Sequence, residues 1–164
     1  MPRRCTLDSL RREDLPALFR LFTDPGAREF LGGALEDGIA KQRARDWVDL
    51  SSSAPIWAIR RESDQAFLGY LILDDHHNSV DTEISYALLP ENWGQGYATD
   101  ALTESFARAF NDFGLTELVA ETQAKNLRSI KLLDRIGMTE DDRLIRFGEE
   151  QIIYRLELEA ANYQ

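Results

Sequence analysis

Cysteine and histidine are nearly missing from this chain: its 164 residues include one cysteine, Cys5, and two histidines, His76 and His77. A lone thiol excludes an intrachain disulfide and a cysteine-based metal cluster. A free thiol this close to the chain start is expected to be inert, in a reducing compartment. The histidines are adjacent, so on a strand they would point to opposite faces, and a two-histidine metal site is not expected. "DDHHNS" instead reads as an exposed loop between strands that could lie near a substrate, and no metal is expected.

No apolar run approaches the roughly 20 residues a membrane span needs, and "MPRRCTLDSLRRED" has no apolar signal core, so a cytoplasmic protein is expected. Basic residues are outnumbered, 19 against 29 acidic, for a net charge of -10. That balance does not suit nucleic acid, whose phosphates are neutralised by Lys and Arg; an amine-bearing substrate fits better. No repeat, low-complexity tract or Pro/Ser-rich linker interrupts the chain, and 43% hydrophobic residues suffice for a core, so residues 1–164 are expected to form one domain.

What is present alternates between two periods. "TLDSLRREDLPALFRLF" passes from a short extended segment into a helix with Asp14 as cap and Leu15, Leu18, Phe19 and Phe22 on one face. Residues 36–50 predict a second helix presenting Ile39, Trp47, Val48 and Leu50. Three strand-like runs follow, "APIWAIRR", "AFLGYLILD" and "TEISYALL", suggesting an antiparallel meander with Trp57 in the core. Ala98, Ala101, Leu102, Phe106, Ala109, Phe110 and Phe113 then recur at helical spacing, with Gly114 placed to end the helix. "TELVAETQ" predicts a strand, "NLRSIKLLDRI" a helix capped by Asn126 and stopped by Gly137, and "EQIIYRLEL" a last strand. The order predicts an α/β fold, a mixed and mostly antiparallel central sheet flanked by helices. The strand at 116–122 follows a strand-helix crossover and should run parallel to that at 82–88.

Between strand 82–89 and helix 98–113 lies "NWGQGYAT", where Gly94 and Gly96 permit a tight turn with unscreened N–H groups. Together with the first amides and positive dipole end of the helix, these could cradle a diphosphate; a tight turn without a ligand is the simpler alternative. A third glycine in G-x-G-x-x-G spacing and a G-K-[ST] are both lacking, which argues against NAD and ATP sites.

"PENWGQGYATDAL", followed about 30 residues later by "NLRSIKLLDRIGM", resembles the cofactor-binding core of the GNAT superfamily of acyl-CoA-dependent N-acyltransferases. More narrowly it is similar to the branch holding the ribosomal-protein N-terminal acetyltransferases and spermidine acetyltransferases. In the family pattern [QR]-x-x-G-x-[GA], Trp93, Gly96 and Ala98 occupy the first, fourth and sixth positions, so tryptophan replaces the usual polar residue. The resemblance implies acetyl-CoA as co-substrate. Its pyrophosphate would lie on the amides of Gly94, Gln95, Gly96, Tyr97, Ala98 and Thr99, and its pantetheine arm between splayed strands 82–88 and 117–122.

Acetylating an amine requires a neutral amine, oxyanion donors and a proton for the departing thiolate. By resemblance, Glu83 is the candidate base, Ser129 the candidate acid and the amide of Leu88 an oxyanion donor, while Asn126 would contact the pantetheine arm and Arg128 and Lys131 the 3'-phosphate. Each has a plainer alternative: Glu83 an ordinary carboxylate, Asn126 and Ser129 a helix cap, Arg128 and Lys131 a solvated helix face. Tyr86 and Tyr154 lie on strands, away from where a family tyrosine acid is usual. "LGGALEDGIAKQ", with three glycines and two acids, suggests a mobile acceptor loop. The expected acceptor is a primary amine, either a protein N-terminus or a small polyamine-like or aminoglycoside-like molecule. The family also admits a homodimer, or a non-catalytic acyl-CoA sensor that keeps the fold.

Overall fold

Strand β1 (Cys5–Ser9) pairs antiparallel with β2 (Ile56–Arg61), and β2 with β3 (Phe67–Asp75). The β2–β3 turn closes locally: Gln65 takes a positive φ of 62°, and the Asp64 carboxylate accepts the Ala66 N–H at 3.1 Å. The computed structural model describes residues 2–163. Its remaining elements are helices α1 (Leu15–Thr23) and α2 (Asp37–Leu50), strand β4 (Thr82–Leu88), helix α3 (Tyr97–Phe113), strand β5 (Glu117–Gln123), helix α4 (Leu127–Arg135), and strands β6 (Thr139–Arg146) and β7 (Glu149–Glu157). The strands form one mixed sheet in the order β1-β2-β3-β4-β5-β7-β6. The predicted α/β class and the parallel β4–β5 pairing, with Glu83 opposite Val119, are both found. Among the described residues no helix is long and apolar enough to cross a membrane.

The chain divides into two compact units, Met1–Ile72 with Tyr86–Ala101, and Leu73–Ser85 with Leu102–Gln164. In the first, Leu18, Leu21 and Phe22 of α1 pack with Ala40 and Ala44 of α2, Ala58 and Tyr70. Phe22, Trp47 and Tyr70 meet in sequence, with centroids 5.0 Å apart for Phe22–Trp47 and 4.8 Å for Trp47–Tyr70, both edge to face. The α2 face is partly the expected one: Trp47 and Val48 pack on this core, whereas Ile39 and Leu50 are each 50% exposed. The inward side carries alanines one turn apart, whose small side chains let two helices approach closely. Asp14 also differs from its expected role: its carboxylate makes no cap bond to α1 and instead receives Arg60.

In the second unit β7 lies between β5 and β6, antiparallel to both. β6 was not expected from the sequence. Its residues, "TEDDRLIR", are almost all exposed, so it is held at the sheet edge by ladder hydrogen bonds and cross-strand pairs such as Arg143–Glu150 at 2.7 Å. Phe147 and Gly148 both have positive φ, 56° and 75°, which is the two-residue hairpin geometry that matches strand twist. Phe113, expected on the buried face of α3, is 46% exposed near the helix end, whereas Ala101, Leu102, Phe106 and Ala109 are buried.

Candidate functional site

In the first unit β4 runs into the glycine turn. After a single 3-10 turn (Pro90–Asn92) the chain passes Gly94 at φ 70° and Gly96 at φ 84° before α3 begins at Tyr97. Buried Asn92 donates to the Leu68 carbonyl at 3.2 Å, and the Leu89 N–H donates to that same oxygen at 2.9 Å. The indole N–H of Trp93 donates to the Leu88 carbonyl at 3.0 Å, so the tryptophan at the motif's first position clamps the end of β4. Gln95 bonds back to the Glu91 carbonyl at 2.9 Å.

The start of α3 is tied to β1 and β2. The Arg4 N–H donates to Asp100 at 2.9 Å, the Cys5 thiol to the Tyr97 carbonyl at 3.4 Å, and Arg61 Nε to the Tyr97 hydroxyl at 3.2 Å. The Arg4 guanidinium lies so close to Gly96 that a Cβ there would stand 2.3 Å from Nη1. Gly94, by contrast, has open space on its Cβ side. The first amides of a helix have no carbonyl a turn earlier to bond, and its dipole is positive at that end. Main-chain donors, a bare glycine and two arginines nearby therefore suit a phosphorylated ligand.

In the second unit, Glu83 near the start of β4 meets three residues distant in sequence. Arg146 Nε donates to Glu121 Oε1 at 2.7 Å, Glu121 Oε2 lies 2.6 Å from His76 Nε2, and His76 Nε2 lies 3.8 Å from Glu83 Oε2. Ser85 donates to Glu83 Oε1 at 3.4 Å, while the buried Oε2 has no hydrogen-bond partner. Burial, reinforced by the neighbouring Glu121 charge, pushes the Glu83 carboxyl up to about 7, with His76, Ser85 and Arg146 opposing it. For Glu121 burial also acts upward, but Arg146 and His76 hold it below the usual range.

The histidine reading is corrected here. His76 is 3% exposed, not part of an exposed loop. Asn78 Oδ1 accepts the N–H groups of Val80 and Asp81, both at 3.0 Å, and His76 N–H bonds the Asp81 carbonyl at 2.9 Å. This tight local turn folds the imidazole inward, while His77 packs edge-on against Phe147. His76, Glu83 and Glu121 offer one ligand atom each within 4.8 Å of one another. In this structure the three serve as hydrogen-bond partners instead: Nε2 contacts Glu121, Glu121 holds Arg146, and the Asn78 N–H points at His76 Nδ1 at 3.4 Å. A backbone N–H can only donate, so Nδ1 accepts and the ring hydrogen sits on Nε2, where a metal would need a lone pair.

Asn126 caps α4 as expected, its Oδ1 accepting the Ser129 N–H at 3.2 Å. Ser129 is half-buried, and Arg128 and Lys131 are exposed. Tyr154 is buried, and its hydroxyl is raised above the usual range by burial and by Asp134, to which it is hydrogen-bonded. The expected acceptor loop is shorter than "LGGALEDGIAKQ": α2 already begins at Asp37, and buried Arg28 ties the rest, its Nε donating to the Gly33 carbonyl at 2.7 Å and Nη2 to the Leu31 carbonyl.

The sequence profile of the acetyltransferase (GNAT) domain matches residues 4–139. The chain belongs to the GNAT acetyltransferase family. Acetyl-CoA-dependent acetylation is general for that family. Among curated relatives, the uncharacterized N-acetyltransferase p20 of Bacillus licheniformis is 23% identical over 150 residues, 86% of this chain and 82% of that protein. In fold, this GNAT acetyltransferase is similar to a GNAT-family acetyltransferase from Bacillus anthracis, with a TM-score of 0.83, 16% identity and 96% of each chain covered. It is also similar to spermidine N-acetyltransferase from Vibrio cholerae, solved with CoA and spermine, with a TM-score of 0.81, 14% identity and 98% of each chain covered.

Sequence reasoning missed Arg4, Arg61, Glu121 and Arg146, and read His76 as an exposed loop residue. Nothing near Arg4 in sequence points to Gly96. Glu121 carried a signal, since an acid that directly follows the apolar run "LVA" has to find a partner when its strand is buried.

Proposed function

We propose that this GNAT acetyltransferase is a single cytoplasmic domain that transfers the acetyl group of acetyl-CoA to a primary amine by direct attack. Glu83 carries the reading: a largely buried carboxylate with one oxygen unpartnered and a proton affinity near neutrality, on the strand that leads into the glycine turn. A general base works best when its pKa lies near the working pH. The acceptor is a protein N-terminus or a polyamine-like molecule. A net charge of -10 favours a cationic acceptor, and the Vibrio cholerae relative was solved with CoA and spermine.

Acetyl-CoA supplies an acyl carbon activated as a thioester and a thiolate leaving group. The amides from Gly94 to Thr99, with the dipole of α3, hold its pyrophosphate, with Trp93 bracing the turn; Asn126 contacts the pantetheine arm, and Arg128 and Lys131 the 3'-phosphate. Glu83 takes a proton from the incoming ammonium, leaving the lone pair on nitrogen to form the new C–N bond. The Leu88 N–H donates to the oxygen that gains charge as that bond forms. The Ser129 hydroxyl gives its proton to the sulfur as the C–S bond breaks and its electron pair stays with sulfur, and the second amine proton, shed as the amide forms, restores the serine through solvent.

The test is calorimetric titration with acetyl-CoA, followed by turnover on spermine, spermidine and peptides with free N-termini. Saturable binding and acetylation of at least one amine are expected, with Glu83→Gln lowering kcat/KM by about 10²–10⁴-fold. Binding without turnover of any amine, with Glu83→Gln and Ser129→Ala silent, would make the chain an acyl-CoA sensor and overturn the proposal.

A further inference from the structure

Glu83 and Glu121 are near neighbours on adjacent parallel strands: Glu83 stands opposite Val119, and Glu121 follows two residues later on the same face of β5. Two carboxylates so placed compete for the nearest donor, the Nε2–H of His76. The competition is unequal. Arg146 pairs with Glu121 at 2.7 Å, and an ionised carboxylate is the stronger acceptor, so the imidazole hydrogen goes to Glu121 at 2.6 Å and stays 3.8 Å from Glu83. Glu83 is left with a buried, unpartnered oxygen beside a fixed negative charge.

We propose that His76 is a positioning residue for this acetyltransferase: with Arg146 it anchors Glu121 as the permanently charged member of the pair and leaves Glu83 as the member that accepts the proton. The role in turnover rests on the proposed function above. The unequal sharing of one imidazole between two carboxylates can be read without substrate.

The groups facing Glu83 come from several elements: Ser85 of β4, Glu121 of β5, Arg146 of β6, and His76 of the β3–β4 connection. Behind His76 stand His77, with ring centroids 5.9 Å apart, and Asp81, which is held by Arg155 of β7 at 3.0 Å. Arg155 occupies Asp81 and Arg146 occupies Glu121, so neither cation is committed to Glu83.

The experiment is a pH titration by NMR of the full chain labelled at the glutamate carboxyl carbons, with the Glu83 resonance assigned by its loss in Glu83→Gln. Glu121→Gln removes the charge beside Glu83 and is expected to lower the Glu83 midpoint by about one unit. His76→Leu removes the donor, frees the Glu121 charge to act on Glu83, and is expected to raise the midpoint. His76→Gln can place an amide N–H near the position of Nε2 and should restore the wild-type midpoint, which also controls for folding. The acidic limb of kcat/KM against pH, measured with acetyl-CoA and spermine, should shift in the same directions. A midpoint unmoved by Glu121→Gln, or equal in His76→Leu and His76→Gln, would overturn the inference, as would saturable binding of zinc at micromolar concentration that abolishes the Glu83 titration. Absence of amine turnover with the midpoint shifts intact would sink the proposed function alone. Turnover with immobile midpoints would sink this inference alone.

Discussion

Gly69 of β3 backs directly onto the Ala87–Leu88 peptide of β4: a Cβ on Gly69 would stand 2.1 Å from the Ala87 carbonyl oxygen and 2.8 Å from Leu88 Cα. Backbone atoms cannot step aside as a flexible side chain can. Gly69→Ala is therefore expected to cost about 3 kcal/mol, at the upper end of overpacking penalties. Because it displaces the Leu88 peptide, it should also lower kcat. Urea unfolding and turnover on the same sample check both, and a loss below about 1 kcal/mol would contradict the close approach.

Asp14 and Arg60 form a buried pair, Nη2 to Oδ2 at 2.6 Å, with both side chains 3% exposed. Removing one partner strands a charge in the interior. Asp14→Ala should cost about 3–5 kcal/mol, whereas the double change Asp14→Leu with Arg60→Met should recover most of it. The two unfolding midpoints decide the matter, and a double variant no more stable than the single one would speak against a desolvation origin.

Glu83 makes stability depend on pH in a direction opposite to most carboxylates. Its value rises from 4.5 to about 7 on folding, so between those pH values the folded chain holds more protons than the unfolded one. Its contribution to stability therefore falls as pH rises through that window and levels off above it. Glu83→Gln should gain stability relative to wild type between pH 4.5 and pH 8, by at most about 3 kcal/mol. Urea titrations at both ends measure the difference; a gap that stays constant with pH would refute the raised value.

Gly94 and Gly96 both sit at positive φ, but they differ in surroundings. Gly94→Ala meets nothing within 4 Å and should cost only the left-handed backbone penalty of about 1–2 kcal/mol. Gly96→Ala must also push Arg4 away and disturb its contact with Asp100. It should lower the melting temperature further than Gly94→Ala does. Repeating both in an Arg4→Ala background should close that gap, and a gap that persists would place the cause elsewhere.

The features legible in the sequence were those written in local backbone chemistry. Asn126 caps α4 because its side chain reaches an N–H three residues on, and Gly114 and Gly137 end helices because they take φ values of 63° and 95°. Those requirements bind near neighbours, so a short window suffices. β6 escaped because an exposed edge strand needs no apolar alternation, and its hairpin uses Phe147–Gly148 where a more familiar pair would be Asn-Gly. The α2 face was read half correctly: Trp47 and Val48 pack on the core, but Ile39 and Leu50 are exposed, and the small Ala40 and Ala44 take the inward places beside α1.

By itself, the sequence determined the order of the elements other than β6, the glycine turn before α3 and the capped start of α4, because short-range patterning, sterics and hydrogen bonding dictate each of these. Only the tertiary structure decided which of the two carboxylates has its proton affinity raised and which has it lowered. His76, Glu121 and Arg146 reach Glu83 from three separate elements, and proton affinity depends on burial and on charges brought close in space. In "DDHHNS" the imidazole of His76 looks like one more polar loop residue. Folding buries it between two acids, and their different partners leave Glu121 paired with Arg146 and Glu83 with a buried oxygen that has no hydrogen-bond partner.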